Sequence, residues 1–331
     1  MTLDDLDWKL MNAWQRALPL VPRPFQVMAE SLGLEEHDVI ERLRGLIEVG
    51  AITCIGATCR PETMSTGTLA AMATDPDQVE EFAGLLSQMR EVDQVHQREN
   101  QWNVWMSVSG PTRSAVDQTL GEIERKTGTQ LLDLRLNQAF NIDLGFDLDG
   151  NSELPVPEPF DDTVPVSQLD RRIIEVLAKG IEPIERPFER LAQQLGHEEH
   201  VVLGRIRVLA KAGILSRVGL IVRRRSLGWR SSALVVFDVP VEEVDDKGRA
   251  LIDVPGVTRC EERKGVSKQW PYSLYCMIHG RSRAETLDVL TLARVRAGLV
   301  GYDYKVLFTT RCFKQTPALM AAEELKVSGR F

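Results

Sequence analysis

Much of what this sequence lacks narrows its chemistry. No apolar run reaches the roughly 20 residues that a membrane-crossing helix needs. The acidic start, MTLDDLDWKLM, has no signal-peptide core. A cytoplasmic protein with no membrane partner is expected. Walker loops, GxGxxG between strand and helix, HExxH and serine elbows are all missing, which excludes the common nucleotide, zinc-protease and serine-hydrolase chemistries. The five cysteines, Cys54, Cys59, Cys260, Cys276 and Cys312, are odd in number, and none forms a CxxC or has zinc-site spacing. They read as reduced thiols, and no dedicated metal site is expected. Positive charge is in deficit: the net charge of -8 counts against a protein whose main work is holding DNA phosphates. What remains is an ordinary globular composition over 331 residues, enough for about two domains.

The chain repeats itself. At an offset of 163, Leu6-Asp7 becomes Leu169-Asp170, and Arg23-Pro24-Phe25 becomes Arg186-Pro187-Phe188. Leu32-Gly33 becomes Leu195-Gly196, and Glu35-Glu36-His37 becomes Glu198-Glu199-His200. Arg42 becomes Arg205, Gly50 becomes Gly213 and Gly56 becomes Gly219. So many ungapped matches indicate an internal duplication.

Each half opens with three short helices at helical apolar spacing, in the first half Leu3–Gln15, Pro24–Leu32 and Glu35–Val49. A hairpin of residues 51–59 with Gly56 at its turn follows, which makes a winged helix-turn-helix. Then comes β-α-β-β-α-β, a ferredoxin-like layer of helices on an antiparallel sheet. The fold class is α+β, with both modules duplicated in tandem. Boundaries fall at 1–64 and 65–142 for the first half, and at 169–227 and 228–314 for the second. Residues 143–168, with seven carboxylates, four prolines and no Lys or Arg, read as an extended linker. Residues 315–331 read as a tail.

The central hairpins of the two ferredoxin-like layers are VDQVHQRENQWNVWMSVSG, starting at Val92, and VTRCEERKGVSKQWPYSLYCMIHG, starting at Val257. Arg98 matches Arg263, Asn103-Val104-Trp105 matches Ser273-Leu274-Tyr275, and Gly110 matches Gly280. Arginine, imidazole and flat rings on one sheet suit a large, flat, anionic ligand. Arg98 and Arg263 are natural carboxylate clamps, or else sheet-surface salt bridges. Lys268 is a further cation. His96 shares a strand face with Arg98; His279 ends its strand beside Gly280. Each is a plain strand histidine, a proton carrier near neutral pH, or a ligand for haem-type iron. Trp105, Trp270, Tyr272 and Tyr275 face a macrocycle or belong to the core. Asn103 bonds a ligand carboxylate or closes its loop. His37, His197 and His200 read as surface residues at helix starts, and Arg223-Arg224-Arg225 as a solvated wing edge.

A winged helix followed by β-α-β-β-α-β resembles the Lrp/AsnC-like superfamily. Within it, HQRENQWNVW and RKGVSKQWPYSLYCMIHG resemble siroheme decarboxylases, here with two subunit types fused in one chain. The resemblance covers nearly the whole sequence. It implies oxygen-independent removal of two acetate carboxyl groups from siroheme, giving didecarboxysiroheme for haem d1 or for an alternative route to haem. It implies no cofactor beyond the iron of the substrate. His96 and His279 would then donate protons or face that iron. Arg98, Arg263 and Lys268 would hold the remaining carboxylates, Asn103 could bond a propionate, and the aromatic residues would line the ring. The alternative is an Lrp-type regulator that senses a small molecule or tetrapyrrole. Both recognition helices, however, begin with two glutamates, which repel phosphates, so no specific DNA binding is expected. The halves differ in chemistry: His96 aligns with Glu261, His279 aligns with Ser109, and the second hairpin carries five extra residues. A pseudo-dimer within one chain is therefore expected, with a productive site that needs residues of both halves. Whether the chain oligomerises further is left open.

Overall fold

The computed structural model describes residues 3–60, 66–142, 161, 163–265 and 269–315. Lys268, most of the linker and residues 316–331 lie outside the described residues. Two compact units emerge, one from residues 3–60 and 137–308, the other from 66–136 and 309–315.

The first unit holds both helix trios. These are α1 (Asp5–Trp14), α2 (Pro24–Leu32) and α3 (Glu36–Glu48), then α6 (Gln168–Lys179), α7 (Pro187–Leu195) and α8 (Glu199–Lys211). Between the trios lie α4 (Val79–Gln88) and α5 (Arg113–Thr127), the helices of the first ferredoxin-like layer. The start of each trio is fixed twice over. Asp4 and Asp7 form a capping box on α1, and Ser167 and Asp170 form one on α6. The buried Asp7 carboxylate also takes Arg42 at 2.9 Å, and the buried Asp170 takes Arg205 at 2.8 Å. One aspartate thus caps its helix and ties the third helix to the first. A glycine in the left-handed region, Gly33 or Gly196, ends the second helix of each trio.

The expected wing hairpins are absent. In their place are single strands, β1 (Ile52–Cys59) and β7 (Leu215–Val222), which pair antiparallel with each other, Gly56 opposite Gly219. The two glycines mark close backbone approach rather than a turn. A Cβ on Gly56 would lie 2.1 Å from the Leu177 carbonyl oxygen, and one on Gly219 would lie 2.5 Å from that of Trp14. The linker also ends sooner than expected, because Ser167 caps α6 and Gln168 is its first residue.

The same unit holds the second ferredoxin-like layer: β8 (Ser231–Phe237), α9 (Val244–Ile252), β9 (Val257–Arg263), β10 (Leu274–Gly280), α10 (Arg283–Arg296) and the first part of β11 (Tyr304–Gln315). Ala233, Val235, Phe237, Cys260, Leu274, Cys276 and Ile278 face the helices and form its core. An added strand, β6 (Leu136–Ile142), flanks β9. Its Phe140 packs over Gly248 of α9, where a Cβ would come 2.3 Å from the ring.

The second unit is the first ferredoxin-like layer: β2 (Thr66–Met72), α4 (Val79–Gln88), β3 (Val92–Arg98), β4 (Val104–Gly110), α5 (Arg113–Thr127) and β5 (Leu131–Leu134), in strand order β5-β2-β4-β3. Here β3 is flanked by the far part of β11, with Thr309 opposite Arg98 and Cys312 opposite His96. The second strand of each layer is therefore flanked by a segment from the other repeat.

Candidate active site

Strand alternation sorts each hairpin into two faces. In β3 and β4, Val92, Val95, Val104, Met106 and Val108 face the helices. Gln94, His96 and Arg98 take the opposite face, with Trp105 directly across from His96 and Ser107 across from Gln94. In β9 and β10 the same alternation puts Arg259, Glu261 and Arg263 on the open face with Tyr275, Met277 and His279.

The hairpin loops are closed identically in the two repeats. Arg98 N donates to Asn103 O, and Arg263 N donates to Ser273 O, both at 2.8 Å. The Asn103 side chain is spent on one residue: Nδ2 donates to Thr74 O at 2.7 Å, and Oδ1 accepts from Thr74 N at 3.1 Å. Ser273 does the same for Val239, its Oγ donating to the carbonyl and accepting from the amide. Asn103 therefore sits as a loop closer. Trp105 Nε1 donates to Trp102 O at 2.6 Å, and Tyr275 Oη donates to Tyr272 O at 3.2 Å. Trp270 Nε1 in turn donates to Tyr275 Oη at 2.8 Å, and its ring meets Tyr272 edge-on. These rings are buried, and their polar tips seal the hairpin ends. Burial pushes the Tyr275 hydroxyl far above the usual phenol range.

The open faces then diverge. His96 is half-buried, and burial followed by the nearby Arg98 charge pulls its imidazole down to about 4. It is neutral at physiological pH. Its Nε2 has only a long 3.4 Å contact to Gln94 Oε1. Its buried Nδ1, like the buried Ser107 Oγ and Trp102 Nε1, has no protein partner among the described residues. Arg98 is 7% exposed and donates from Nη1 to Thr309 Oγ1 at 2.8 Å.

In the second repeat, Glu261 fills the His96 position, across from Tyr275. Arg263 grips it with Nε at 2.9 Å and Nη2 at 2.6 Å, and Arg259 donates to its other oxygen. Burial opposes ionisation of Glu261, but the two guanidinium groups outweigh it and hold the carboxyl below the usual range. His279 lies opposite Ser232 on β8. Four residues separate it from Tyr275, roughly 13 Å of strand, so it is not beside the Arg263 cluster. Sequence reasoning missed the parts played by Glu261, Thr309 and Ser107. Only Glu261 carried a signal: arginines two residues away on either side share its strand face.

Residues 7–52 and 170–215 match the siroheme decarboxylase NirDL-like HTH domain, and residues 64–140 and 226–314 match the AsnC-like ligand binding domain. The chain is 43% identical to the siroheme decarboxylase NirDL subunit of Paracoccus denitrificans (strain Pd 1222), over 97% of this chain and 99% of the relative. The chain belongs to the siroheme decarboxylase NirDL family. The NirDL subunit of Paracoccus pantotrophus is also 43% identical, over 97% of this chain and 99% of its own length. The fold agrees with the crystal structure of the siroheme decarboxylase NirDL in complex with an iron-uroporphyrin III analogue. That match has a TM-score of 0.68 and 23% identity, over 95% of this chain and 93% of the other. NirDL membership identifies an enzyme of the carboxy-lyase type and sets aside the regulator alternative. The tandem helix-turn-helix and AsnC-like architecture is that of the family. No described helix is long and apolar enough to cross a membrane.

Proposed function

We propose that this chain removes two acetate carboxyl groups from siroheme as carbon dioxide, giving didecarboxysiroheme, without oxygen and with no cofactor beyond the iron that the substrate brings. The observation that carries this reading is the open face of β3 and β4. It presents a nearly buried guanidinium, together with a neutral imidazole whose Nδ1 and a buried hydroxyl that have no protein partner among the described residues. An unsatisfied buried polar atom costs about 1–3 kcal/mol, so such a cluster is best explained by a ligand that supplies the missing partners. The related structure with an iron-uroporphyrin III analogue supports a tetrapyrrole in that role.

Each decarboxylation breaks the bond between the acetate methylene and its carboxyl carbon. Carbon dioxide leaves, and the electron pair stays on the methylene. A proton first taken up by the conjugated ring draws that pair into an exocyclic double bond; the methylene carbon then takes a proton as the ring releases its own, so each step consumes one proton net and converts –CH2–CO2⁻ to –CH3. The protein has to position the ring, exclude water and deliver protons. Arg98 holds a substrate carboxylate through a charge-assisted bond. That carboxylate offsets the Arg98 charge felt by His96 and so raises the affinity of the imidazole for a proton. His279, on β10, is the second proton-handling group. The buried Trp105, Trp270, Tyr272 and Tyr275 keep the hairpin ends closed and dry.

The product serves haem d1 synthesis or an alternative route to haem, and the enzyme works in the cytoplasm without specific DNA binding. The test is anaerobic incubation of the purified protein with siroheme, followed by mass spectrometry. Loss of two carboxyl groups is expected. Unchanged siroheme with folded protein would overturn the proposal.

A further inference from the structure

The two open faces place different groups at one repeat-equivalent position. His96 and Glu261 both lie two residues before the hairpin arginine, and both sit across from the aromatic residue that seals the loop, Trp105 or Tyr275. In the first repeat this position carries no charge of its own at neutral pH. In the second it carries an anion, 4% exposed, whose oxygens are taken by Arg263 and Arg259.

A guanidinium recognises a carboxylate by offering two parallel N–H groups. Arg263 already spends its Nε and Nη2 edge on Glu261. A substrate carboxylate that sought this edge would have to displace an anion covalently fixed beside it, at an effective concentration no free ligand matches. Arg98 instead donates to a hydroxyl, Thr309 Oγ1, and the position two residues before it on the strand holds an imidazole in place of a carboxylate. A neutral hydroxyl is a weaker acceptor than a carboxylate, and an incoming anion can replace or supplement it.

We infer that Glu261 is a specificity-determining residue: an internal carboxylate that occupies the arginine pair of the second repeat, so that a polycarboxylate tetrapyrrole is recognised through Arg98 and not through Arg263. The inference rests on the reading of siroheme as the substrate. It assigns the duplicated clamps unequal roles. One meets the ligand, and the other is closed by its own strand and serves as structure. Glu261 does not touch the reacting atoms. It acts through Arg263 and Arg259.

The experiment is a spectrophotometric titration of the full chain with iron uroporphyrin, a polycarboxylate iron porphyrin, alongside thermal melts. Removing the charge of Glu261 by Glu261→Gln releases Arg263 and should raise affinity by about tenfold, the scale of one charge-assisted bond. The double variant Glu261→Gln with Arg263→Gln should lose that gain. The reciprocal pair needs no change in the second repeat. His96→Gln removes the imidazole only, whereas His96→Glu plants a carboxylate in reach of Arg98. His96→Glu should therefore bind iron uroporphyrin about tenfold more weakly than His96→Gln. The inference is overturned if folded Glu261→Gln binds no tighter than wild type, or if His96→Glu and His96→Gln bind alike. Should Glu261→Gln fail to fold, the His96 pair decides alone. Siroheme turnover by the wild-type chain is scored separately, so failure of the proposed activity is distinguishable from failure of this assignment.

Discussion

Gly56 and Gly219 stand opposite each other in the β1–β7 ladder, and each presses against the end of the first helix of the other repeat's trio. Neither has room for a methyl group, since the nearest atoms are backbone carbonyl oxygens that cannot swing away. Gly56→Ala and Gly219→Ala should each cost about 1–3 kcal/mol by forcing the strand off the helix. Gly204→Ala is the contrast. Gly204 lies within α8 with nothing within 4 Å of a Cβ, so alanine there should stabilise by roughly 0.5–1 kcal/mol. Urea unfolding of the three variants checks the ordering. Equal stability of all three would contradict the packing described.

Arg98 and Arg263 should respond differently to truncation. Arg98→Ala gives up a hydroxyl partner and, with substrate present, a charge-assisted bond. It should weaken siroheme binding by about 1.5–3 kcal/mol with a small change in melting temperature. Arg263→Ala leaves the buried Glu261 with Arg259 alone. It should lower stability by about 3 kcal/mol, the scale of a broken buried ion pair. Differential scanning calorimetry and a binding titration separate the two. A reversed pattern would refute the assignment.

His96 should make stability depend on pH below neutrality. Its folded value of about 4 lies below the ordinary imidazole value of 6.5, so between those values the unfolded chain binds the extra proton. Stability from this group is complete above about pH 6.5 and is lost as pH falls toward 4. From pH 7 to pH 5 the loss is about 2 kcal/mol. His96→Gln should flatten that part of the urea-stability profile. An unchanged slope would place the imidazole in a wetter setting than its surroundings indicate.

Sequence-specific DNA binding should be absent. The glutamates at the starts of α3 and α8 are anchored, Glu36 by Arg23 and Glu199 by Arg186. The pairing occupies Arg23 and Arg186, so the helix starts do not offer these guanidinium groups to phosphates. A gel shift at physiological salt checks this, and nanomolar, sequence-dependent binding would count decisively against it.

The sequence made some of this legible and hid the rest for physical reasons. Asp7 with Arg42, and Asp170 with Arg205, lie at one fixed offset, so the duplication and the helix trios could be read directly. Strand alternation placed His96 and Arg98 on one face. Pairing partners could not be read in that way. Nothing local tells β1 that its neighbour is β7 rather than its own hairpin, and Gly56 looks the same in a turn as in a tight crossing. The flanking roles of β6 and of the far part of β11 leave no local signal, because a ferredoxin-like unit is complete without them. Asn103 and Ser273 align, but no sequence pattern tells that both are spent on the backbone of a neighbouring strand end.

The exchange of β6 and β11 has a consequence for assembly kinetics. Strand β6 flanks β9, and the far part of β11 flanks β3, so both units draw chain from before and after residues 143–160. In the intact chain the two contributions meet intramolecularly, at an effective molarity fixed by the covalent connection rather than by dilution. Folding of the fused polypeptide should therefore be first order and insensitive to protein concentration. Two half-chains severed within 143–160 would have to find each other, in a second-order step that slows as the solution is diluted.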